Sequence, residues 1–532
     1  MRSFENSQGL LSLVLHAHLP FVRHPEYEKF LEEKWLFEAI SETYLPLLRT
    51  FRNLESKGID FKLTISFSPT LTEMLVDPFL QERYLDHLSS LIELAEKEII
   101  RTRSNPAEHK MAIMYQKLFT ENYNDFVNLY NKDITIGFKH YFNKGNLLLI
   151  TSAATHAFLP NFSEYPEVIR AQIVTAVDSF RRVFAERPSG IWLPECGYFP
   201  GLEEILKESG LKFYISSAHG VMYSDTTPDK GVFAPVSCPN GVSVFPREKE
   251  SCRDIWSPID GYPGDVVYRE FYRDIGFDLP IDYIRPYIQD DDIRVNTGFK
   301  YYAITGSETK QLYNPAKAEI KIEEHVDNFL YNREKMVNRV RKVFDDRPAL
   351  FTCPYDAELF GHWWFEGPQF IEKLLVSISE SDIFDYCTPL EYLKSYPENQ
   401  TVEPVYSSWG EQGYSQVWLD GSNDWIYRHL FKVIEKMVEL TQRYPDATGL
   451  KRRALNQAAR EVLLAQASDW PLILKTGTTV PYATKRVKTH ILNFHKIYDS
   501  LCENVVKTEW LTKLEKKNNL FKDINYLVFQ KI

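Results

Sequence analysis

The chain has 532 residues, 44% apolar and 25% charged, an ordinary globular make-up with room for one large barrel or two to three domains. Its net charge is −11 and its one short basic run, Lys513 to Lys522, reads as solvated surface, so a nucleic-acid binder, which needs a basic face, is excluded. Six scattered cysteines at 196, 238, 252, 353, 387 and 502 form no C-x-x-C pair, so neither a zinc ribbon nor a disulfide framework is expected. No apolar run approaches the ~20 residues of a membrane span. The expected setting is therefore the reducing cytoplasm, with no membrane partner.

In chain order, the N-terminal "GLLSLVLHAHLP" holds a short apolar stretch interrupted by His16 and His18, which reads as a buried strand rather than a leader. Further apolar runs bounded by turn residues follow: Phe61–Phe67, Asn146–Thr151, Ser189–Pro194, Leu211–Ser216 and Pro348–Pro354. Continuous apolar runs of this length fit parallel strands buried on both faces. Between two of them Ile169, Ile173, Val177, Phe180 and Phe184 recur at helical spacing. The alternation predicts an α/β barrel or doubly wound sheet.

Residues 76–140 read as a helical insertion, too long for one crossover. Residues 217–264, rich in Pro, Gly and Ser and without helical period, read as a long loop or small subdomain walling a site. After about residue 400 three amphipathic stretches predict a C-terminal helical domain, 401–532, behind a catalytic domain of residues 1–400.

Barrel sites form at the C-terminal ends of strands. There the sequence places His16 and His18, then His156, then Glu195, then Asp356, Glu358 and His362. Glu195 lies in "GIWLPECGYFPG", hemmed by Pro194 and bulky neighbours that would fix its direction. Glu195 and Asp356 together are the minimum equipment for glycoside chemistry, one acid attacking or activating water and the other protonating the leaving oxygen. Pro354, Tyr355, Phe360, Trp363 and Trp364 could raise the acid's pKa by desolvation. The plain alternative is that each acid caps a helix. "HAHLP" is equally compatible with a metal set, His16, His18, His156 and Asp356, and with two histidines that hydrogen-bond a substrate. Trp256, Trp409, Trp418 and Trp425 lie in Gly/Ser-rich loop sequence, where stacking on sugar rings competes with packing.

"HAHLP", "WLPECGY" and "YDAELFGHWWFEG" resemble the signature blocks of glycoside hydrolase family 57. "SSWGEQGYSQVWL" and "ASDWP" resemble those of its 1,4-α-glucan branching enzymes, and the likeness runs in order over the whole chain. The resemblance implies a distorted seven-stranded (β/α) barrel with an inserted subdomain and a C-terminal helical domain. It implies a retaining, metal-free and cofactor-free mechanism on an α-1,4-glucan, forming α-1,6 branches. Matched residue by residue, Glu195 falls on the nucleophile and Asp356 on the general acid/base. Arg247, Gly264, Trp409 and Asp469 fall on substrate-binding positions. His16, His18, Trp256 and Trp418 fall on the active-site lining.

One departure is Lys230 before Gly231, where the family's branching enzymes carry a tyrosine thought to cover the site. It favours an α-amylase or 4-α-glucanotransferase of the same family. From other classes stand a metal-dependent deacetylase or amidase built on His16, His18 and Asp356, and a non-catalytic glucan-binding protein. No phosphate-binding glycine motif is present.

Overall fold

The computed structural model describes residue 4 and residues 6–531. Its centre is a mostly parallel sheet. The strands are β1 (Gly9–Ala17), β2 (Leu63–Phe67), β3 (Leu147–Thr151), β4 (Gly190–Trp192), β5 (Phe213–Ser216), β6 (Val236–Ser237), β7 (Ser243–Pro246), β8 (Ala349–Asp356) and β9 (Phe384–Tyr386). Seven run parallel in the order β7-β5-β4-β3-β2-β1-β8. Short β6 adds antiparallel to β7, and β9, an eighth parallel strand, pairs with the start of β1. The Glu248 N–H donates to the Thr352 carbonyl at 2.8 Å, so the chain leaving β7 meets the middle of β8 and the sheet curls toward a barrel. Every residue of β1, β2 and β3 is buried, which is why these strands read as unbroken apolar runs.

Helix Pro166–Phe184 buries Ile169, Ile173, Val177, Phe180 and Phe184 on one stripe. Each such side chain contributes about 1.5–3 kcal/mol against exposure, enough to fix the helix against the sheet. Helices Pro78–Arg101, Pro106–Asn124 and Thr135–Lys144 fill the stretch between β2 and β3.

Two sequence expectations change. Residues 217–264 are not simply loop: they carry β6 and β7, the latter a strand of the parallel sheet, and helix Lys249–Trp256. A four-residue strand ending in proline, between Pro/Gly turns, is too short to show a period. The basic run Lys513–Lys522 is not simply solvated. Leu514, Asn518, Leu520 and Phe521 in it are buried, and Arg460 donates to the Leu520 and Phe521 carbonyls.

Beyond the sheet, helices Trp425–Arg443, Gly449–Ala465, Asp469–Thr476, Val480–Cys502 and Thr508–Lys517 form a bundle. It docks on the C-terminal strand ends: Ala467 bridges antiparallel to Ala157, and Gln466 accepts from Gln172 at 2.9 Å.

Candidate active site

The strand ends converge as barrel geometry requires. His16 pairs in register with Asp356 on the neighbouring strand. His156 follows β3, Glu195 follows β4, Arg247 follows β7 and Glu358 follows β8. The bundle adds Ser468 and Asp469 from above.

Glu195 is buried, in a tight turn with φ +61°, and Cys196 (+50°) and His156 (+59°) share the left-handed region. Non-glycine residues pay of order 1–2 kcal/mol for this conformation, and three at one site is the pattern of a functional constraint. Two donors hold the Glu195 carboxylate. Trp409 Nε1–H reaches Oε2 at 2.8 Å and Ser468 Oγ–H reaches Oε1 at 2.9 Å. Burial raises the Glu195 pKa more than these two hydrogen bonds lower it.

Asp356 stands differently. Among the described residues no donor reaches its carboxyl, and burial, then the charges of Glu358 and Glu195, push its pKa well above the ordinary carboxylate range. Both acids are thus shifted upward by burial, but only Glu195 has donors that oppose the shift, while the neighbouring acids push Asp356 further toward the neutral form.

A chain of buried groups continues behind Glu195. Ser468 Oγ lies 2.8 Å from His156 Nδ1, His156 Nε2 lies 2.9 Å from His16 Nε2, and His16 Nδ1 lies 3.1 Å from Ser66 Oγ. Burial, followed by nearby histidine charge, holds His16 and His156 well below the usual histidine pKa. His18 differs. Burial opposes its charge, but Asp469, whose carboxylate oxygens sit 3.1 and 3.2 Å from Nε2, together with Glu195 and Glu358 outweighs that and the pKa ends raised.

These histidines do not fit the metal set expected from "HAHLP". The donors that come together, within 4.8 Å, are those of His18, His156 and Asp469, not His16 and Asp356. His18 and His156 stack face to face at 3.7 Å and 12°, so their in-plane lone pairs run parallel and do not converge on one point. Both nitrogens of His156 already have partners.

Around the acids lies one cleft with two arms. A first arm of about 640 Å³ is lined by Arg247, Lys249, Trp256, Gly410 and Trp418. A second of about 730 Å³ is lined by His18, Trp35, Glu38, Phe271, Trp363 and Asp469. Glu195, Asp356, Trp256 and Trp409 border both, so the two acids sit at the junction. Trp256 is 40% exposed and Trp363 51%, aromatic faces open to a ligand. Trp418 is buried, its ring on Phe158 at 4.5 Å and against Gly410, where a Cβ would come within 2.7 Å of it.

Of the candidate catalytic, metal-ligating and sugar-binding residues singled out in sequence, all border the cleft except Gly264 and Trp425, and of the apolar neighbours expected around Asp356 only Trp363 does, Tyr355, Phe360 and Trp364 being buried. Gly264 ends a short turn, Tyr262–Gly264, and Trp425 opens a helix. Lys230 does not border it either. Its ammonium bonds Asp346 at 2.6 Å and the Val343 carbonyl at 2.8 Å. Sequence reasoning misses Ser468, although it finds the neighbouring Asp469, and it misses Glu38, which opens into the second arm. A serine signals nothing by itself, and only the docked bundle brings it to Glu195.

A barrel with paired carboxyls at its strand ends and an aromatic-walled cleft defines a carbohydrate-active hydrolase or transglycosylase. Residues 12–405 match the family described as Glycosyl hydrolase family 57, and residues 429–529 match "1,4-alpha-glucan branching enzyme, C-terminal". The chain belongs to glycosyl hydrolase family 57, and it is an enzyme of that type.

It is 31% identical to a 1,4-α-glucan branching enzyme of Thermococcus kodakarensis, over 97% of this chain and 78% of that one. Among solved structures it resembles the α-amylase AmyC from Thermotoga maritima, with TM-score 0.93, 42% identity and 99% of each chain covered. It also resembles the branching enzyme from Pyrococcus horikoshii, with TM-score 0.88, 28% identity and 98% and 97% covered.

Proposed function

We propose that the chain is a 1,4-α-glucan branching enzyme of glycogen-type glucan metabolism, working in the cytoplasm by a retaining double displacement without metal or cofactor. The observation that carries this reading is the pair of carboxyls at the junction of two cleft arms, one held by donors and the other bare. In the first step the Glu195 carboxylate attacks the anomeric carbon of an α-1,4-linked glucose, and Asp356 gives its proton to the departing 4-oxygen. In the second, Asp356 takes the proton of an acceptor 6-hydroxyl, whose oxygen displaces Glu195 and closes the α-1,6 bond. A branching reaction needs a donor chain and an acceptor chain, and two arms meeting at the acids supply a place for each. Trp256, Trp409, Arg247, His18 and Asp469 would hold the sugar rings and hydroxyls, with the buried Trp418 backing the wall of the first arm at Gly410. The six cysteines, five of them buried, suit a reducing compartment. No helix among the described residues is long and apolar enough to cross a membrane.

A second reading, α-amylase, is favoured by the 42% identity to the Thermotoga maritima enzyme. The two separate in one experiment. Amylose is incubated with the enzyme, and the product is examined by proton NMR for α-1,6 linkages and assayed for new reducing ends. New α-1,6 signal with few reducing ends supports branching, whereas reducing ends without α-1,6 signal would replace it by hydrolysis.

A further inference from the structure

We propose that Ser468, supplied by the C-terminal bundle, is a positioning residue for Glu195, and that the chain Ser66–His16–His156–Ser468 has one fixed polarity with every proton directed toward that carboxylate. The proposal rests on the reading of Glu195 as the nucleophile.

The argument starts from a helix start. Ser468 is the N-cap of helix Asp469–Thr476, and serine is favoured there because its hydroxyl satisfies an orphan backbone N–H. Here it makes no such bond. Its hydroxyl instead lies between Glu195 Oε1 at 2.9 Å and His156 Nδ1 at 2.8 Å. The backbone holds it there, since the Ser468 N–H donates to the His156 carbonyl at 2.9 Å beside the Ala157–Ala467 bridge.

Donor counting then sets the polarity. A hydroxyl has one proton. The carboxylate can only accept, so Ser468 gives its proton to Glu195 and must accept from His156. His156 thus carries its proton on Nδ1, and its Nε2 lone pair accepts from His16 Nε2–H. His16 Nδ1 is then bare and accepts from Ser66. The reverse order would send the Ser66 proton to the Thr151 carbonyl, 3.2 Å away, and would leave Glu195 Oε1 without its serine donor. Ser66, His16, His156 and Ser468 are all at most 2% exposed, so water does not interrupt the series.

The test has two independent arms on the full-length enzyme. Nitrogen-15 NMR of labelled histidines reads the tautomers directly. Neutral His156 protonated at Nδ1 and neutral His16 protonated at Nε2 are expected at pH 6 to 8, and the opposite tautomer at either ring overturns the polarity. Steady-state kinetics of Ser468→Ala should show kcat down about 10- to 100-fold, the loss of one charge-assisted hydrogen bond, with KM nearly unchanged. The acid limb of its pH profile should move to higher pH, and Ser468→Thr should restore both. The other groups facing Glu195, namely His16, His18, His156, Arg247, Asp356, Glu358 and Asp469, are unaltered in that variant, so the moved limb reports Ser468. An unchanged kcat and limb, or a KM effect alone, overturns the positioning role. Should Ser468→Ala not fold, the tautomers of the unaltered enzyme still decide the polarity. The catalytic reading fails separately, by an active Glu195→Gln enzyme.

Discussion

Two sides of one cleft handle a carboxyl in opposite ways. On the Glu195 side, the chain beyond residue 400 leans over the barrel and contributes Trp409 and Ser468, two donors to one carboxylate. On the Asp356 side, among the described residues, nothing donates, and the neighbours that matter are the acids Glu358 and Glu195. The strands alone place both acids at one rim, while the segments that dock on the rim decide which acid receives hydrogen-bond donors. The different settings of two chemically similar groups thus arise from what packs on them rather than from the strands that carry them.

The contrast breaks most completely at Glu195. Glu195→Gln keeps the shape but removes the attacking charge and one of the two acceptor oxygens. Activity on amylose should fall on the order of 10⁴-fold or more, measured as kcat.

Asp356→Asn should cost about 10²–10⁴-fold in kcat, the usual worth of a general acid/base. It should also stabilise the fold. The folded pKa of Asp356 is raised above its ordinary value of 3.8, so the group's favourable contribution is full below that value and is lost as pH rises through the folded pKa. At pH 7 to 8 the aspartate disfavours the folded state and asparagine does not. Thermal melts at that pH should show a higher Tm for Asp356→Asn, and a lower one would contradict the bare-acid picture.

The wild-type pH profile should be a bell, because Glu195 must be ionised and Asp356 protonated. Its acid limb should lie above 4.5, the ordinary value from which Glu195 is raised, and its alkaline limb well above 3.8.

Trp409→Phe removes the indole N–H and keeps most of the ring. It should lower kcat about 10-fold or somewhat more and shift the acid limb upward, converting the Glu195 side toward the Asp356 side. A change confined to KM would mean that Trp409 serves only as a sugar platform.

The smallest effect is expected at Lys230. Its ion pair with Asp346 lies outside the cleft and is partly exposed, so Lys230→Ala should change stability by less than about 1 kcal/mol. The ratio of α-1,6 bonds formed to reducing ends released should stay the same. A large change in that ratio would give this loop the covering role that its sequence position suggests.

Much of the fold and of the site is legible in the amino-acid sequence. Six of the eight parallel strands are continuous apolar runs, and the helix from 166 to 184 carries its own stripe, because burial on two faces or on one face imposes a period on sequence. Glu195 and Asp356 stand out for the same reason, as charges at the ends of buried strands. Strands Ser243–Pro246 and Phe384–Tyr386 are too short to show a period, and Lys513–Lys522 looks solvated because its lysines mask Leu514, Leu520 and Phe521.

By itself, then, the sequence determined the layers, the rim and the two acids, since periodicity and strand ends are local properties of the chain. Only the tertiary structure decided that His156 stacks on His18 instead of converging with it on an ion. Only it decided that Lys230 turns to Asp346, and that a helix-capping serine 273 residues from Glu195 in sequence donates to it instead. Hydrogen bonds and desolvation act over a few ångströms of space, and sequence separation carries no record of them.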